Sequence, residues 1–377
     1  MSQEEPAVTT VRKRVILAIN RLLTVQASDG YFLYKYHLIK GLVKAGPGNL
    51  VRQAGCAYVL GRAAEMTGNP EQRNRLCKSA SMTVDALLDR AVVDAGNFFI
   101  ADLPKQGLPV RGKLGTLALM LAALQSKSLA TFYSAEKSRL IHEILSWQRP
   151  DGSFRCRTDS VSVTDDASSQ DYYPGEALLA LAIEVQSGSE ECHRAMIAAL
   201  PWYRLRFRRN PTTAFASWQI MAWTAYASWS ARMQVPTSSY SAAPTEFVYE
   251  MTDWLLQFQI RQSASEPDLI GGYSQDGRRP GISTASYTEA MICAASLARR
   301  LVDKERARRY RDASTMGLQF IYRLQVMPNT FYAGSDPLFA IGGTVSSLSD
   351  MTIRCDNDQH AISAYLTALQ HSNSLFF

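Results

Sequence analysis

The segment SDMTIRCDNDQH at positions 349–360 concentrates ionisable side chains directly before a stretch with helical apolar periodicity. Helix starts favour Asp and Asn, because the first backbone N–H groups lack partners and the helix dipole favours negative charge. That preference explains Asp356 or Asn357, but it does not explain Arg354 and His360 as well. Carboxylates and imidazoles transfer protons, and a guanidinium binds an anion through two parallel hydrogen bonds. The segment therefore predicts one wall of a site, in which Arg354 anchors an anionic group and Asp356 and His360 transfer protons.

The spacing within this segment determines which of its side chains can act together. Asp356 and His360 are four residues apart, so they share a face if the helix already includes both. Asp358 points sideways from that face, as an N-cap or as a supporting member of the substrate-binding set. We predict that Arg354, Asp356 and His360 face the same cavity as Glu176 and Tyr173.

Polar residues also stand at the starts of five other apolar stretches. They are Asn49, Arg52 and Gln53; Arg111 and Lys113; Tyr172, Tyr173 and Glu176; Ser217, Trp218 and Gln219; and Tyr287 and Glu289. Any single one is explained by capping or by a satisfied buried hydrogen bond. Their recurrence at the same end of otherwise apolar helices predicts that they line one site. The predicted catalytic residues are Glu176, Asp356, His360, Tyr173 and Glu289. The predicted substrate-binding residues are Arg52, Gln53, Trp218, Gln219, Tyr287, Arg354 and Asp358.

These residue types favour acid and base chemistry without a cofactor. Two facing carboxylates can divide the acid and base roles if their environments separate their pKa values. Tyrosines can donate protons or stack on a sugar ring, and arginines can bind a carboxylate or phosphate. Proton abstraction beside a carbonyl, as in epimerisation or elimination, would use this set. Glycoside hydrolysis would use two of the carboxylates, and the residue pattern leaves these reactions open.

The elements that position these residues are helices of two alternating kinds. One kind has a charged face and predicts surface helices; the other is apolar nearly all round and predicts buried helices. The outer helices are predicted at 8–26, 71–91, 134–148, 190–204, 244–260 and 304–325. The inner helices are predicted at 49–66, 113–126, 173–187, 214–231, 284–302 and 357–371. The alternation predicts an all-α fold, an (α/α)6 barrel formed as a single domain over 1–377, with helix above ~55% of residues.

A weak repeat and the loop lengths support this arrangement. The segments LLTVQASDGYF, LSWQRPDGSF, LLQFQ…GGYS and YRLQVMPNTFY each run from an outer helix through a glutamine and a turn to an aromatic residue. We interpret Gln26, Gln148, Gln259 and Gln325 as structural markers of helix–turn corners. Most connections from an outer to an inner helix are long, which is typical of functional loops. The working end of the barrel is therefore predicted at the starts of the inner helices.

Composition and missing motifs exclude several classes. Hydrophobic residues make up 46% and charged residues 20%, as in soluble globular proteins. A net charge of +6 is too small and scattered for a nucleic-acid binder, and no apolar run is long enough to span a membrane. The first ten residues lack a signal sequence and the cysteines are scattered, so a cytoplasmic protein with free thiols is expected. Asp165-Asp166 does not complete the acid motif of terpenoid cyclases, and Cys192-His193 lacks the context of a zinc site. No metal or cofactor is expected.

The sequence resembles the six-hairpin, (α/α)-barrel proteins that act on sugars. These include N-acylglucosamine 2-epimerases, uronyl C5-epimerases and unsaturated glucuronyl hydrolases. RCDNDQH at 354–360 is similar to the Arg-x-Asp…His stretch that ends uronyl C5-epimerases, and YYPGEALLAL at 172–181 resembles the third inner helix of many such proteins. The resemblance implies an enzyme, an isomerase, lyase or glycoside hydrolase, acting on a small sugar-like or anionic substrate. The alternative is a biosynthetic cyclase-like toroid, or a non-catalytic scaffold that binds a partner protein or a carrier-tethered substrate.

Overall fold

The computed structural model describes residues 8–94, 96–104, 110–162, 164, 167–233, 239–330 and 334–371. Of residues 239–242, it describes the backbone alone. Helix makes up 63% of the structure, which confirms the predicted all-α class and helix content. Residues 1–48 and 253–377 form one compact unit, the split unit, and residues 49–252 form another, the continuous unit. The single domain over 1–377 stays a prediction.

The elements follow one another as helices with a few short strands. In the described part of the chain, the helices are α1 (Val8–Thr24), α2 (Leu50–Met66), α3 (Pro70–Leu88), α4 (Leu114–Leu124), α5 (Lys127–Ala130), α6 (Ser134–Ser146), α7 (Tyr173–Gln186), α8 (Glu190–Arg209), α9 (Thr213–Arg232), α10 (Ser239–Leu255), α11 (Ser283–Arg300), α12 (Lys304–Leu324), α13 (Pro337–Ala340) and α14 (Cys355–Gln370). The strands are β1 (Lys35–His37), β2 (Leu42–Lys44), β3 (Ala91–Asp94), β4 (Asn97–Ile100) and β5 (Thr352–Arg354).

In the continuous unit the predicted inner helices pack side by side. Helix α2 contacts α4, α4 contacts α7, and α7 contacts α9, and each is buried on nearly all sides. Every residue of α4 is buried, because Ala, Gly and Leu let neighbouring helices approach from any direction. Helices α3 and α8 pack on the outside of α2 and α7 with one charged face in water. The long connection between the predicted helices 71–91 and 113–126 begins with an antiparallel β3–β4 hairpin.

The split unit brings the two ends of the chain together. Helix α14 contacts α1 and α11, and α11 contacts α12. Helix α14 begins at Cys355, two residues before the predicted start, so it includes both Asp356 and His360 as their shared face requires. An antiparallel sheet with the order β2-β1-β5 precedes α14 and pairs strands from the first and last parts of the chain. The sheet therefore fixes the position at which α14 begins.

The four repeated glutamines form the same structural corner, which confirms their interpretation as structural markers. Each side-chain amide donates to the carbonyl of a glycine in the following turn, over 3.0–3.3 Å. Those glycines, with φ between +86° and +91°, are Gly30, Gly152, Gly271 and Gly342. Gln148, Gln259 and Gln325 also donate to a carbonyl of a neighbouring outer helix, on Ala195, Ala313 and Arg14 respectively. The repeat thus joins successive outer helices, since side-chain amides satisfy carbonyls that the turns leave open.

The fourth copy of the repeat lies elsewhere than the sequence pattern suggests. Its expected aromatic residues, Phe331 and Tyr332, lie outside the described residues, as do Asp165 and Asp166. Gln325 pairs instead with Thr344, which follows Gly342 and Gly343 just as Tyr273 follows a pair of glycines in the third copy. An insertion that contains α13 separates the glutamine from its turn, which explains why the pattern was degenerate.

A bilayer span needs a long, apolar helix. None of the helices in the described ranges meets both requirements.

Candidate active site

The most unusual side chain in the continuous unit is that of Glu176 in the first turn of α7. It is 5% exposed, and its Oε2 atom has no hydrogen-bond partner among the described residues. Burial raises the pKa of Glu176 to about 8, because the charged form would lose its hydration without gaining a partner. The carboxyl is therefore protonated near neutral pH and can both donate and accept a proton within a physiological range.

The packing around Glu176 is set by small residues of the neighbouring helices. A methyl group placed on Gly115 of α4 would lie 2.5 Å from Glu176 Oε2 and 2.5 Å from a ring carbon of Tyr173. A methyl group on Gly175 would meet the side chain of Trp218 on α9 at 2.5 Å. Only glycine fits at these contacts, so α4, α7 and α9 hold Glu176, Tyr173 and Trp218 against one another.

Tyr173 and Arg52 add polar groups beside this carboxyl. Burial and then the charges of Glu176 and Asp102 raise the pKa of Tyr173, while the positive charge of Arg52 opposes the increase. Tyr173 and Arg52 are both half-buried, which suits side chains at the rim of a site. Asp102 pairs with Lys113 at 2.8 Å, so the predicted polar residue at the start of α4 has a structural partner.

Two predicted binding residues of this unit lie deeper. Gln53 is fully buried, and Gln219 is 1% exposed. Gln219 accepts a hydrogen bond from the indole of Trp223 at 2.8 Å, but its Nε2 has no partner among the described residues. An unpaired buried amide is costly, so Gln219 keeps a donor available for a ligand or a water molecule.

The contacts around Gly115 and Gly175, together with the charges that act on Tyr173, bring Arg52, Tyr173, Glu176 and Trp218 into one region.

In the split unit, Arg354 and Asp356 bind each other. Arg354 is the N-cap residue of α14, and its Nε and Nη2 donate to the two carboxylate oxygens of Asp356 at 2.9 and 2.8 Å. Burial lowers the pKa of Arg354, but the Asp356 carboxylate more than offsets that effect and the net pKa is raised. Arg354 is thereby paired with Asp356 and remains partly exposed at the end of the helix.

Asp358, which belongs to the predicted substrate-binding set, has two partners within the split unit. It is fully buried, forms an ion pair with Arg21 of α1 and accepts a hydrogen bond from the Thr344 backbone at 2.8 Å. Burial raises the pKa of Asp358 to about 6, despite the charge of Arg21. Nor is it the N-cap, since α14 begins three residues earlier. We therefore leave Asp358 out of the proposed substrate-binding residues.

His360 is oriented by a neighbour that the sequence did not indicate. Its Nδ1 lies 2.9 Å from the hydroxyl of Ser286 on α11, and the imidazole is half-buried. This contact orients the ring, and because a hydroxyl can donate or accept, it is compatible with either tautomer. Ser286 lies one residue before the predicted Tyr287, which packs edge-on against Tyr273 with ring centroids 5.4 Å apart.

Glu289 connects two helices. It is 4% exposed, and its Oε1 accepts hydrogen bonds from Ser363 and Thr367 of α14, both at 2.8 Å. With the contact between Ser286 and His360, these bonds form a polar seam along the interface of α11 and α14. Because Glu289 is held by two hydroxyl donors, its geometry is that of a structural buried acid.

Comparison with known proteins finds similar folds among solved structures. No family model matches the chain, and no curated protein matches it. A sugar epimerase from a ruminal bacterium matches with a TM-score of 0.65 and 11% identity, covering 97% of this chain and 98% of its own. D-mannose isomerase matches with a TM-score of 0.62 and 14% identity over 98% and 100% of the two chains. Unsaturated glucuronyl hydrolase from Bacillus sp. GL1 matches with a TM-score of 0.61 and 13% identity over 94% and 96%.

The fold is an (α/α)6 barrel. This confirms the prediction from alternating helix types, and the likeness extends over nearly the whole chain. A structural likeness at such low sequence identity shows a shared fold alone, so the roles of individual residues depend on this chain's own geometry.

Proposed function

We propose that this protein is an enzyme that transfers a proton at a carbon atom next to the carbonyl group of a sugar, in an epimerisation or isomerisation. The observation that carries the proposal is the Glu176 carboxyl, which is buried and lacks a partner on Oε2. A buried carboxyl with a pKa near neutrality is suited to general acid and base catalysis, because it can exchange its proton at the operating pH.

The other predicted carboxylates favour proton transfer over glycoside hydrolysis. Hydrolysis needs two carboxyl groups free to act on either side of a glycosidic bond. Asp356 is held by Arg354, and Glu289 is held by two hydroxyl groups. Asp358 is buried in its pair with Arg21. Of the predicted carboxylic acids, Glu176 is thus the one that we propose as the general acid or base.

His360 is the proposed proton-transfer group of the split unit, and Arg354 with Asp356 is its proposed polar neighbour. The Ser286 contact orients the imidazole, as a second acid or base requires. That His360 and Glu176 serve one reaction stays a prediction. Solved structures with the same fold include a sugar epimerase and a D-mannose isomerase, which supports a sugar substrate. The predicted cytoplasmic location and partner protein also stay predictions.

The test is solvent exchange in deuterium oxide. Proton abstraction beside a carbonyl replaces the abstracted hydrogen with deuterium, which proton NMR detects without knowledge of the product. We would incubate the protein with D-mannose, D-fructose, D-glucose, N-acetyl-D-glucosamine and D-glucuronate. Glu176→Gln should slow exchange on the order of 10²–10⁴-fold and leave the helix content unchanged.

Glu184→Gln is the matched control. Glu184 lies on the same helix and is equally buried at 5% exposure, but it is held by Gln125 and Lys137 at the other end. The Glu184→Gln variant should catalyse deuterium exchange into the sugar at the wild-type rate. If no sugar exchanges with the wild-type protein, the proposed reaction on these sugars is wrong. If Glu176→Gln exchanges as fast as Glu184→Gln, Glu176 is not the acid or base.

A further inference from the structure

Three cations form one row across the sheet that precedes α14. In the register of the antiparallel strands, Lys35 of β1 lies opposite Lys44 of β2 and opposite Arg354 of β5. Residues directly opposite in a sheet project from the same face, with β-carbons about 4.5–5.5 Å apart. We call Lys44, Lys35 and Arg354 the cationic row.

The ammonium groups of both lysines lie near the aromatic ring of Tyr34. The Lys35 Nζ lies 5.6 Å and the Lys44 Nζ 5.7 Å from the centroid of the Tyr34 ring. A methyl group on Gly48 would collide with this ring, so the backbone at Gly48 packs directly against it. Two ammonium groups therefore share one aromatic ring, whose position is fixed by packing.

The row carries more positive than negative charge. Arg354 pairs with Asp356, but within the described ranges no carboxylate pairs with Lys35 or Lys44. Like charges placed directly opposite each other destabilise a sheet, and this cost is normally avoided by an acidic partner on the next strand. The neighbouring positions on the same face are His37, Leu42 and Thr352, which supply no carboxylate either.

The other face of the sheet shows that the orientation of Lys35 and Arg354 is fixed. Tyr36 is 1% exposed and Ile353 is fully buried, and both alternate with the row along their strands. A one-residue shift in register would bury the cations and expose these side chains. Lys35 and Arg354 are consequently held half-buried, and Arg354 caps α14 nearly two helical turns before His360.

We propose that the cationic row binds the anionic group of a sugar acid or a sugar phosphate. Three cations and one carboxylate leave a surplus of positive charge that a carboxylate or phosphate would neutralise. The class of anion follows from the row alone, and the sugar part rests on the proposed function. Lys35 and Lys44 would supply specificity for acidic over neutral sugars.

The test compares two double variants that remove the same charge. Lys35→Gln/Lys44→Gln removes the two lysines of the row, and Lys13→Gln/Lys40→Gln removes two exposed lysines outside it. Calorimetry would measure binding of D-glucuronate, D-glucose 6-phosphate, D-glucose and inorganic phosphate. The row variant should weaken binding of the better of the two acidic sugars by about 10–100-fold, with D-glucose unchanged and the control variant like wild type.

The phosphate measurement separates this inference from the proposed function. If no sugar binds but phosphate does, and the row variant weakens it, the row is an anion site and the sugar proposal is wrong. If the acidic sugars bind the row variant as tightly as wild type, or no anion binds the wild-type protein, the inference is overturned. The affinities for D-glucuronate and D-glucose 6-phosphate, compared with each other, show whether the row prefers a carboxylate or a phosphate. Circular dichroism of both variants checks that each remains folded.

Discussion

Glu176 and Glu289 are the same residue at nearly the same depth, with exposures of 5% and 4%, yet their surroundings differ. Glu289 accepts hydrogen bonds from Ser363 and Thr367, whereas Glu176 has an oxygen without any partner in the described part of the chain. Burying a carboxyl without partners costs free energy, so such a group is retained where chemistry requires it. Burial alone therefore does not distinguish these two acids; the missing partner is what makes Glu176 the proposed acid or base.

The surroundings of the two residues explain this difference. Glu289 faces hydroxyl-bearing positions of α14, whereas Glu176 faces Gly115 and the ring of Tyr173. A glycine has no side chain that could donate a hydrogen bond to the carboxyl. Helix packing thus supplies one acid with hydrogen-bond donors and leaves the other without a partner on Oε2 among the residues that the structure describes.

The largest effect on stability is expected at the third buried acid, Asp358. Arg21→Met leaves Asp358 buried without its ion-pair partner and should lower the free energy of unfolding by about 3–5 kcal/mol. Urea denaturation monitored by circular dichroism measures this change. The double variant Arg21→Met/Asp358→Asn should recover part of the loss, because the charge is then gone. A loss below about 1 kcal/mol for Arg21→Met would show that the pair does not hold α1 to α14.

A smaller effect is expected when Glu289 loses its hydroxyl donors. Ser363→Ala/Thr367→Val makes Glu289 resemble Glu176, and it should lower the free energy of unfolding by about 2–3 kcal/mol. Ser138→Ala, which removes an exposed hydroxyl bonded within its own helix, should change it by less than about 0.5 kcal/mol. Equal effects of the two changes would mean that the seam between α11 and α14 contributes nothing.

Counted per pH unit, the smallest effect is the pH dependence that Glu176 confers on stability. Its pKa is about 8 in the folded protein and near 4.5 in the unfolded chain, so between these values the folded state binds a proton that the unfolded chain releases. Stability from this group is complete below pH 4.5 and is lost as the pH rises toward 8, by up to about 1.4 kcal/mol per pH unit.

Glu176→Gln lacks that proton and should be free of this contribution. Denaturation of both proteins at several pH values between 5 and 9 measures the difference in slope. Asp358 titrates in both proteins, so its effect cancels in the comparison. Parallel pH curves for the wild type and Glu176→Gln would contradict a raised pKa.

Much of the fold could be predicted from local sequence signals. Apolar periodicity located the long helices to within a few residues, and the glutamine repeat marked the corners that join outer helices. Both signals depend on residues close together in the chain. The β3–β4 hairpin and the three-stranded sheet were missed, because strands of three or four residues are too short to show alternation.

The sequence located the polar residues of the candidate site, but it did not show which of them are held by partners in the folded chain. Glu176 and Glu289 look alike in the sequence, since both lie near the start of an apolar helix. What separates them is a pair of hydroxyls 74 and 78 residues away. Asp358 likewise depends on Arg21, which is 337 residues distant. Such partners are brought together by tertiary packing, which no local pattern records.

The central claim is that Glu176 is a buried carboxyl poised to exchange its proton near neutral pH. The most direct measurement is carbon-13 NMR of protein labelled at the glutamate side-chain carboxyls, followed between pH 4 and 10. We predict one resonance that titrates with a pKa near 8 and is absent from Glu176→Gln. If every glutamate carboxyl has finished titrating by about pH 5.5, close to the ordinary value, the claim is contradicted.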